Sequence, residues 1–539
     1  PASTAATAPL RNLAFVFAFV SGLTSLSYQV LWTRLIASGT GSSTYVFTTI
    51  LAVFLIGLAM GATEYKRIRA RLTNVVGALA ITQVGIAALA CIGMFAINAL
   101  DTPNGDYLLK TLAAVLPATF LMGFGFPAAS ALVGGNDTEV ATQSGRLLAV
   151  NTLGSIVGAF IVPFFLIPAL GSPSTLAIMA VINAGTGALL ARRANSAMPR
   201  RITRLGVAGL AIVGFVFAAL VGGKLFVDPG VARLDRPGAS LTETAEDEIA
   251  SVQAGSADGM KQLWVTGFSM TSLSVDAKLM PVIALMLRPQ SRSLLAIAFG
   301  MGSSFRSSLI AGLRTDAVEL VPSVPKMFGV FYSDAKVWQS DPRGRIIIAD
   351  GRSFVELSAN KYDIIIVDPP PPLQSSGVSI ISSLEFYLAA RKRLTPNGVM
   401  MQWVPWGQTE SDVKDHIRSF RTAFPNVLIA AGPGGHGFYM FGAASPLAFT
   451  PKNILDVLER PGVVNDMSSA YDSPAHEITS WQATIPGLVR LKGDQVVRFA
   501  GEGPLVTDDH PRPEYFLVGF ALHPSPPLDP EKVRAVMTP

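Results

Sequence analysis

Three acidic side chains stand at the ends of apolar segments in the second half of the chain. Glu319 ends DAVE, Asp350 follows GRIIIA, and Asp368 follows YDIIIV. Segments this apolar are typical of strands in a parallel sheet covered on both faces. Because parallel strands end at one edge, where ligands bind, we expect the three carboxylates to converge on a functional site. For each acid taken alone, a helix cap or an ion pair is the alternative.

The segment after Asp368 restricts the backbone, since four prolines follow directly, from Pro369 to Pro372. Proline has no N–H and keeps the preceding residue extended as well. A carboxylate held in this way can accept a proton from a substrate nitrogen. Asp368 is therefore our candidate catalytic base.

A glycine turn precedes these acids. SLLAIAFGMGSSF is typical of a strand, a glycine turn and the start of a helix. Such a turn exposes backbone N–H groups and lets a ligand approach closely, although alone it is a weak signal. Together with the acids it predicts a set of residues that bind a cofactor or substrate. They are Gly300, Met301, Gly302, Glu319, Asp350 and Gly351.

The first part of the chain is too apolar for a soluble protein. Half of the 539 residues are hydrophobic and only 15% are charged. Seven stretches are long enough to cross a bilayer, namely residues 12–36, 44–63, 74–99, 108–133, 147–170, 174–191 and 205–223. After Lys224 the sequence has the composition of a globular domain. We expect a seven-helix membrane domain (1–224), a linker and β-hairpin region (225–290) and a soluble domain (291–539).

The formal net charge of +5 comes from basic residues that flank the membrane segments, so it does not support nucleic-acid binding. These residues lie in two alternate loops, with Lys66, Arg67, Arg69 and Arg71 in one and Arg192, Arg193, Arg200, Arg201 and Arg204 in the other. By the positive-inside rule both loops are cytoplasmic. With seven helices in the inner (plasma) membrane, the amino terminus is then cytoplasmic and the carboxyl-terminal domain periplasmic.

Two polar side chains lie inside the first apolar stretch, Gln29 and Arg34 in SYQVLWTRLI. Polar groups within a membrane usually face a cavity or a partner. Arg34 can instead extend to the membrane interface beside Trp32. We expect both residues to contribute at the membrane interface.

Two glycines in a later stretch, Gly154 and Gly158, are four residues apart. This spacing predicts that two helices pack closely there.

Cysteine and histidine usage excludes several kinds of site. The single cysteine, Cys91, rules out an intramolecular disulfide. Of the five histidines, only His510 lies beside acids, Asp508 and Asp509. No metal site is predicted from this pattern.

The order of motifs resembles a known family. GxG, VEL, DGR.F, YD.I..D, EFY and L.P.G follow one another as in spermidine synthase, the polyamine aminopropyltransferase family. The resemblance covers about 240–520. LVTDDHPRPEYFL, with Asp508, Asp509 and Glu514, and the membrane segment SGLTSLSYQVLWTRL resemble the membrane-fused members.

This resemblance implies a fold and a set of roles. The fold is a multi-pass α-helical membrane domain joined to an α/β Rossmann-like domain of the class I methyltransferase type, behind a small β-hairpin region. Glu319 would hold the ribose of the donor, decarboxylated S-adenosylmethionine (SAM), and Asp350 its adenine. Asp368 would take the proton of the attacking amine.

Three positions depart from the family. Pro371 replaces a second acid after the base, Met301 replaces the acid for the donor's amino group, and Ser307 replaces a glutamate. Polyamines need several carboxylates to balance their desolvated charges, and a periplasmic domain would meet no cytosolic donor. We therefore expect weak or no binding of decarboxylated SAM.

The first hypothesis is an integral-membrane enzyme that acts on an amine without a SAM-type donor, for example by cyclisation or transfer at the amino terminus of an exported peptide. The alternatives are a genuine aminopropyltransferase or an amine methyltransferase with a SAM-type donor, and a non-catalytic binding or transport-coupled protein. The expected partners are the lipid bilayer and an amine-bearing small molecule or peptide, and no nucleic acid. The oligomeric state stays open.

Overall fold

The computed structural model describes residues 8–100, 107–133, 137–193, 226–270, 273–367, 375–522 and 524–529. The chain forms two compact units, each treated on its own below. The first consists of Pro1–Pro237, Thr244–Gln253 and Val265–Phe268, and the second of Gly238–Glu243, Ala254–Trp264 and Ser269–Pro539. The three-part division at residues 224 and 290 stays a prediction.

The first unit is a bundle of long apolar helices. They are α1 (Ala8–Thr40), α2 (Thr44–Ile68), α3 (Val75–Ala99), α4 (Tyr107–Ser130), α5 (Asp137–Ile161), α6 (Ile167–Leu170) and α7 (Ser172–Arg193). A π-helical turn, Val162–Leu166, joins α5 to α6, and the two helices form one span. Six spans in the described residues are long and apolar enough to cross a membrane, which makes this a multi-pass membrane region. They confirm six of the seven predicted stretches; the seventh, 205–223, lies outside the described residues.

The two glycines of α5 mark its contact with α1. A Cβ atom on Gly154 would lie 2.1 Å from the carbonyl oxygen of Phe19, and one on Gly158 would lie 2.3 Å from that of Leu23. Both distances are far below van der Waals contact, so only glycine permits this approach of the two helices.

The end of α7 and the residues after 226 lie at opposite ends of this bundle. Leu190, near the end of α7, packs in a cluster with Ala14 near the start of α1 and Val76 near the start of α3. Residues after 226 instead meet the other ends of these helices. Ser38, near the end of α1, donates a hydrogen bond to Asp228 at 2.6 Å.

A second contact supports this placement. Ser172, the first residue of α7, donates two hydrogen bonds of 2.7 Å to the Glu246 carboxylate, one from its backbone N–H and one from its hydroxyl. Asn98, near the end of α3, donates to the carbonyl of Val227 at 3.2 Å. Residues 227, 228 and 246 therefore lie at the end where α1 and α3 finish, opposite to the end of α7.

The strands of the small first sheet are β1 (Ala239–Glu246), β2 (Ser251–Ala257), β3 (Met260–Val265) and β4 (Phe268–Met270). They pair in the order β1-β2-β3-β4. This is the β-hairpin region that the resemblance implies. A short helix, α8 (Pro229–Ala232), precedes it.

The second unit is built on an eight-stranded sheet. Its strands are β5 (Ser293–Ile297), β6 (Arg314–Glu319), β7 (Gly344–Ile348), β8 (Tyr362–Val367), β9 (Leu394–Pro405), β10 (Asn426–Ala431), β11 (Gly437–Ala443) and β12 (Val489–Lys492). The spatial order is β12-β10-β11-β9-β8-β5-β6-β7. The strands β5 to β9 pair with one another in parallel. Strand β11 pairs antiparallel with both β9 and β10. This is the predicted Rossmann-like arrangement.

Helices cover this sheet. They are α9 (Val275–Leu287), α10 (Ser303–Ile310), α11 (Phe328–Phe331), α12 (Ala335–Gln339), α13 (Gly351–Leu357), α14 (Leu384–Arg393), α15 (Glu410–Ala423), α16 (Pro451–Leu458), α17 (Val463–Ser468), α18 (Ile478–Gly487), α19 (Asp494–Ala500) and α20 (Phe516–Leu522). Residues 364–367 of β8 are completely buried, as expected for a central strand covered on both faces.

Replacing Gly154 by alanine should destabilise the helix bundle, whereas the same change at Gly145 should not. A Cβ at Gly154 meets the α1 backbone, while one at Gly145, in the same helix, meets nothing within 4 Å. Overpacking costs about 1–3 kcal/mol. Thermal unfolding of the detergent-solubilised protein measures the effect, and equal melting temperatures for the two variants would contradict it.

Candidate active site

The carboxyl ends of four neighbouring strands define the site. The end of β5 is level with those of β6 and β8, since Ile297 pairs with Val318 on one side and with Val367 on the other. The strand order reverses at β5, because β6 and β7 follow on one side and β8 and β9 on the other. Ligands of such sheets bind in the crevice at this reversal.

The glycine turn after β5 has an unusual backbone. Ala298, Gly300 and Gly302 all have positive φ, at 67°, 53° and 80°. A Cβ at Gly302 would lie 2.5 Å from the Phe328 ring, whereas one at Gly300 would meet no atom of the described residues within 4 Å. The space over Gly300 is therefore open to a ligand, and Gly302 lets the start of α10 pack closely. Met301 is only 6% exposed.

Glu319, the last residue of β6, holds the glycine turn. Its Oε2 accepts a hydrogen bond of 2.8 Å from the N–H of Phe299, and its Oε1 accepts one of 2.9 Å from Val321. Burial raises the pKa of Glu319, and the backbone N–H bonds oppose that rise. The N–H groups of Gly300 and Leu320 also bond to this carboxylate, so backbone donors account for its acceptor positions. Sequence reasoning did not assign Glu319 this role in the turn.

Asp350 and Gly351 start α13 at the end of β7. Oδ1 of Asp350 accepts a hydrogen bond of 2.7 Å from the N–H of Ser353, so this acid is a helix N-cap. Its side chain is exposed at the sheet edge. A Cβ at Gly351 would lie 2.6 Å from Cγ2 of Ile297, so glycine lets α13 begin directly against β5. Asp368 lies outside the described residues, one position after Val367.

The carboxyl-terminal motif meets this edge, which the sequence did not reveal. Arg352, next to Gly351, donates to both oxygens of Asp508 at 2.7 and 3.0 Å. Ser383, the N-cap of α14, donates to the same carboxylate at 2.7 Å. Arg352 lowers the pKa of Asp508. Asp508 thus joins the start of α13 to the start of α14.

Gln402 is a second residue that sequence reasoning missed. It pairs with Val367 across β8 and β9 and is fully buried. No described residue donates a hydrogen bond to its Oε1. A buried acceptor without a donor is costly, which makes Gln402 a candidate ligand-binding residue. The available signal was a single amide in the apolar strand VMMQWV.

Arg34 and Gln29 lie in the first unit. The Arg34 guanidinium donates to the carbonyl of Glu248 at 3.2 Å and to that of Asp247. Arg34 therefore has a protein partner, the turn between β1 and β2, where snorkelling was the alternative. Gln29 is half-buried on α1. In the described part of the chain, no group of three or more His, Cys, Asp or Glu residues is placed to hold a metal ion.

Comparison with known proteins agrees with this geometry. Residues 315–431 match the model of the spermine/spermidine synthase domain. A polyamine aminopropyltransferase 1 of Streptomyces coelicolor is 23% identical over 411 residues, which cover 72% of this chain and 75% of that protein. The second unit therefore contains a region similar to the spermine/spermidine synthase domain, and the relatives are named polyamine aminopropyltransferases.

Two further similarities concern the synthase family. The polyamine aminopropyltransferase of Mycobacterium tuberculosis is 25% identical over 429 residues, which cover 74% of this chain and 79% of that protein. A crystal structure of spermidine synthase from Thermotoga maritima is 18% identical, with a TM-score of 0.39, and covers 48% of this chain and 87% of the solved chain. The Rossmann-like fold of the second unit follows from its strand order rather than from that score.

Replacing Glu319 by glutamine should destabilise the second unit. The side-chain NH2 of glutamine would point at a backbone N–H, so two donors would meet and one would lose its acceptor. An unpaired buried donor costs about 1–3 kcal/mol. Asp350→Asn is the matched control, because asparagine caps a helix as well as aspartate does. Thermal unfolding of the full chain separates the two variants, and a Glu319→Gln protein as stable as Asp350→Asn would refute the assigned role.

Proposed function

We propose that the chain is a membrane-bound aminopropyltransferase, which transfers an aminopropyl group from decarboxylated SAM to an amine. The observation that carries the proposal is the open glycine turn held by Glu319 at the strand-order reversal, within a domain that matches the spermine/spermidine synthase family. The curated relatives are named polyamine aminopropyltransferases. These names favour aminopropyl transfer over the SAM-independent cyclisation that we expected from the sequence.

The donor fits the described residues. Its nucleoside would lie over Gly300, where a Cβ would meet nothing within 4 Å. Glu319 holds the turn at this position, and the exposed Asp350 lies at the next strand end. On the other side of β8, Gln402 offers an acceptor to which no described residue donates.

The transfer step assigns one role to Asp368. The nitrogen of the acceptor attacks the propyl carbon next to the sulfonium, a carbon–nitrogen bond forms, and the carbon–sulfur bond breaks. The sulfur keeps the electron pair and leaves as neutral methylthioadenosine. Asp368 takes the proton that the nitrogen loses. Because Pro371 and Met301 replace family acids, we infer that the donor and a polycation bind less tightly than in a site with those acids.

Replacing Asp368 by asparagine should lower turnover about 10²–10⁴-fold, since it keeps the shape and removes the proton acceptor. Thermal stability should change little. The assay follows aminopropyl transfer from decarboxylated SAM to 1,4-diaminobutane by the full-length protein in detergent. A wild-type protein without transfer activity would refute the proposed reaction, and a fully active Asp368→Asn variant would refute the base.

We further propose that the second unit is periplasmic. Basic residues flank alternate spans (Lys66, Arg67, Arg69 and Arg71 after α2, and Arg192 and Arg193 at the end of α7). In addition, the end of α7 lies at one end of the bundle and residue 228 lies at the other. This placement supports an odd number of crossings, as the seven-span prediction requires.

A reporter fused after Pro539 tests the orientation. Alkaline phosphatase, which is active only outside the cytoplasm, should give a signal there, and a fluorescent protein that matures only inside should not. A fusion after Arg193 is the control with the opposite expectation. Fluorescence at Pro539 together with phosphatase inactivity would overturn the periplasmic placement.

A further inference from the structure

Two carboxyl groups lie against each other at one end of the helix bundle. Asp228 is the N-cap of α8, and Glu246 is the last residue of β1. Both residues belong to the first unit, and their side chains are hydrogen-bonded to one another. Because a carboxylate can only accept a hydrogen bond, one of the two groups must carry a proton that the pair shares.

Each carboxyl group of the pair is bound to a different membrane helix. Oδ1 of Asp228 accepts a hydrogen bond of 2.6 Å from the hydroxyl of Ser38, near the end of α1. Oε2 of Glu246 accepts two bonds of 2.7 Å from Ser172, the first residue of α7. We refer to these four residues as the carboxyl bridge. The shared proton is its central contact, and α1 and α7 lie at its two ends.

The hydrogen bonds of Asp228 show which group carries the proton. Its Oδ1 also accepts bonds from the N–H groups of Gly230 at 2.8 Å and Val231 at 3.4 Å. Donors of this kind favour the ionised form of a carboxyl group. The proton therefore lies on Glu246. Burial and the adjacent charge of Asp228 raise the pKa of Glu246 to about 7, although the two bonds from Ser172 oppose that rise.

Further charged side chains lie at this end of the bundle, namely Arg34, Lys110, Arg233, Asp247 and Glu248. The Arg34 guanidinium donates to the backbone carbonyls of Asp247 and Glu248, so it acts on the pair through its charge alone. Asp228 has the largest electrostatic effect on Glu246. The protonation of Glu246 therefore depends mainly on its partner in the bridge.

We propose that the carboxyl bridge joins α1 to α7 only while it holds its proton, so that the contact between these two helix ends depends on pH. With the proton in place, Glu246 donates a hydrogen bond to Asp228. Without the proton, two negative charges face each other and the bridge opens between them. The first turn of α7 then loses the acceptor of its Ser172 N–H. This property is independent of the proposed aminopropyl transfer.

The direction of the pH effect follows from the raised pKa of Glu246. Its ordinary value is 4.5, and in the folded chain it is about 7. The stabilisation of the bridge by the proton is therefore fully present below the ordinary pKa and is lost as the pH rises through the folded one. Between pH 6 and pH 8 the protonated fraction falls from about nine-tenths to about one-tenth, which weakens the bridge about tenfold.

Hydrogen exchange of peptides that span Ser172, measured on the full-length protein in detergent at pH 6 and pH 8, tests the bridge. After correction for the intrinsic rate, the Ser172 N–H should exchange about tenfold faster at pH 8 in the wild type. In Glu246→Gln the amide accepts from Ser172 and donates to Asp228 at either pH, so exchange should stay slow. Glu243→Gln, at an exposed acid of the same strand, should behave as wild type.

Equal corrected rates at the two pH values in the wild type would overturn the inference, as would the same tenfold rise in Glu246→Gln. Thermal unfolding at pH 6 shows whether that variant folds. If it does not, Asp228→Asn makes the same test, because asparagine also caps a helix and its amide donates to Glu246 in place of the proton. A rate that does not change with pH in Asp228→Asn supports the bridge, and a tenfold rise contradicts it.

Discussion

The hydrogen bonds between Glu319 and the glycine turn are the interaction on which the site depends. Burying a carboxylate is unfavourable unless donors compensate for its lost hydration. Here the N–H groups of Phe299 and Val321 supply those donors. In return the carboxylate holds a turn in which Ala298 adopts a positive φ that non-glycine residues rarely take. Gly300 lies in this turn, and no described residue would contact a Cβ there within 4 Å.

Other carboxylates at the sheet edge also hold loops, by accepting hydrogen bonds from residues far away in the sequence. Asp508 joins Arg352 at the start of α13 to Ser383 at the start of α14. Asp276 holds the β10–β11 loop through backbone N–H groups. In each case a carboxylate fixes a loop that no regular secondary structure stabilises. Acids in this unit therefore shape the site as well as supply its chemistry, so a carboxylate at the edge is not by itself a substrate ligand.

The elements were predictable from the sequence, whereas the partners of their side chains were not. Six apolar stretches and the buried strand β8 follow from local composition, because span length and strand burial are encoded in consecutive residues. Asp350 caps a helix, which was one of the alternatives for this acid. Arg352, two residues later, binds Asp508, which lies 156 positions further along the chain. The Oε1 of Gln402, to which no described residue donates a hydrogen bond, likewise depends on tertiary contacts. Local sequence patterns carry no information about contacts between residues that are far apart in the sequence.

Two membrane helices of the first unit bind residues at the start of the small sheet. Arg34 on α1 binds the turn between β1 and β2, and Ser172 at the start of α7 binds Glu246 on β1. Within the first unit, α1 and α7 thus bind residues 246–248 at the end of the bundle opposite to the basic residues after α2 and α7. The orientation proposed above would place residues 228 and 246–248 on the periplasmic side, because they lie at the end of the bundle without the basic residues.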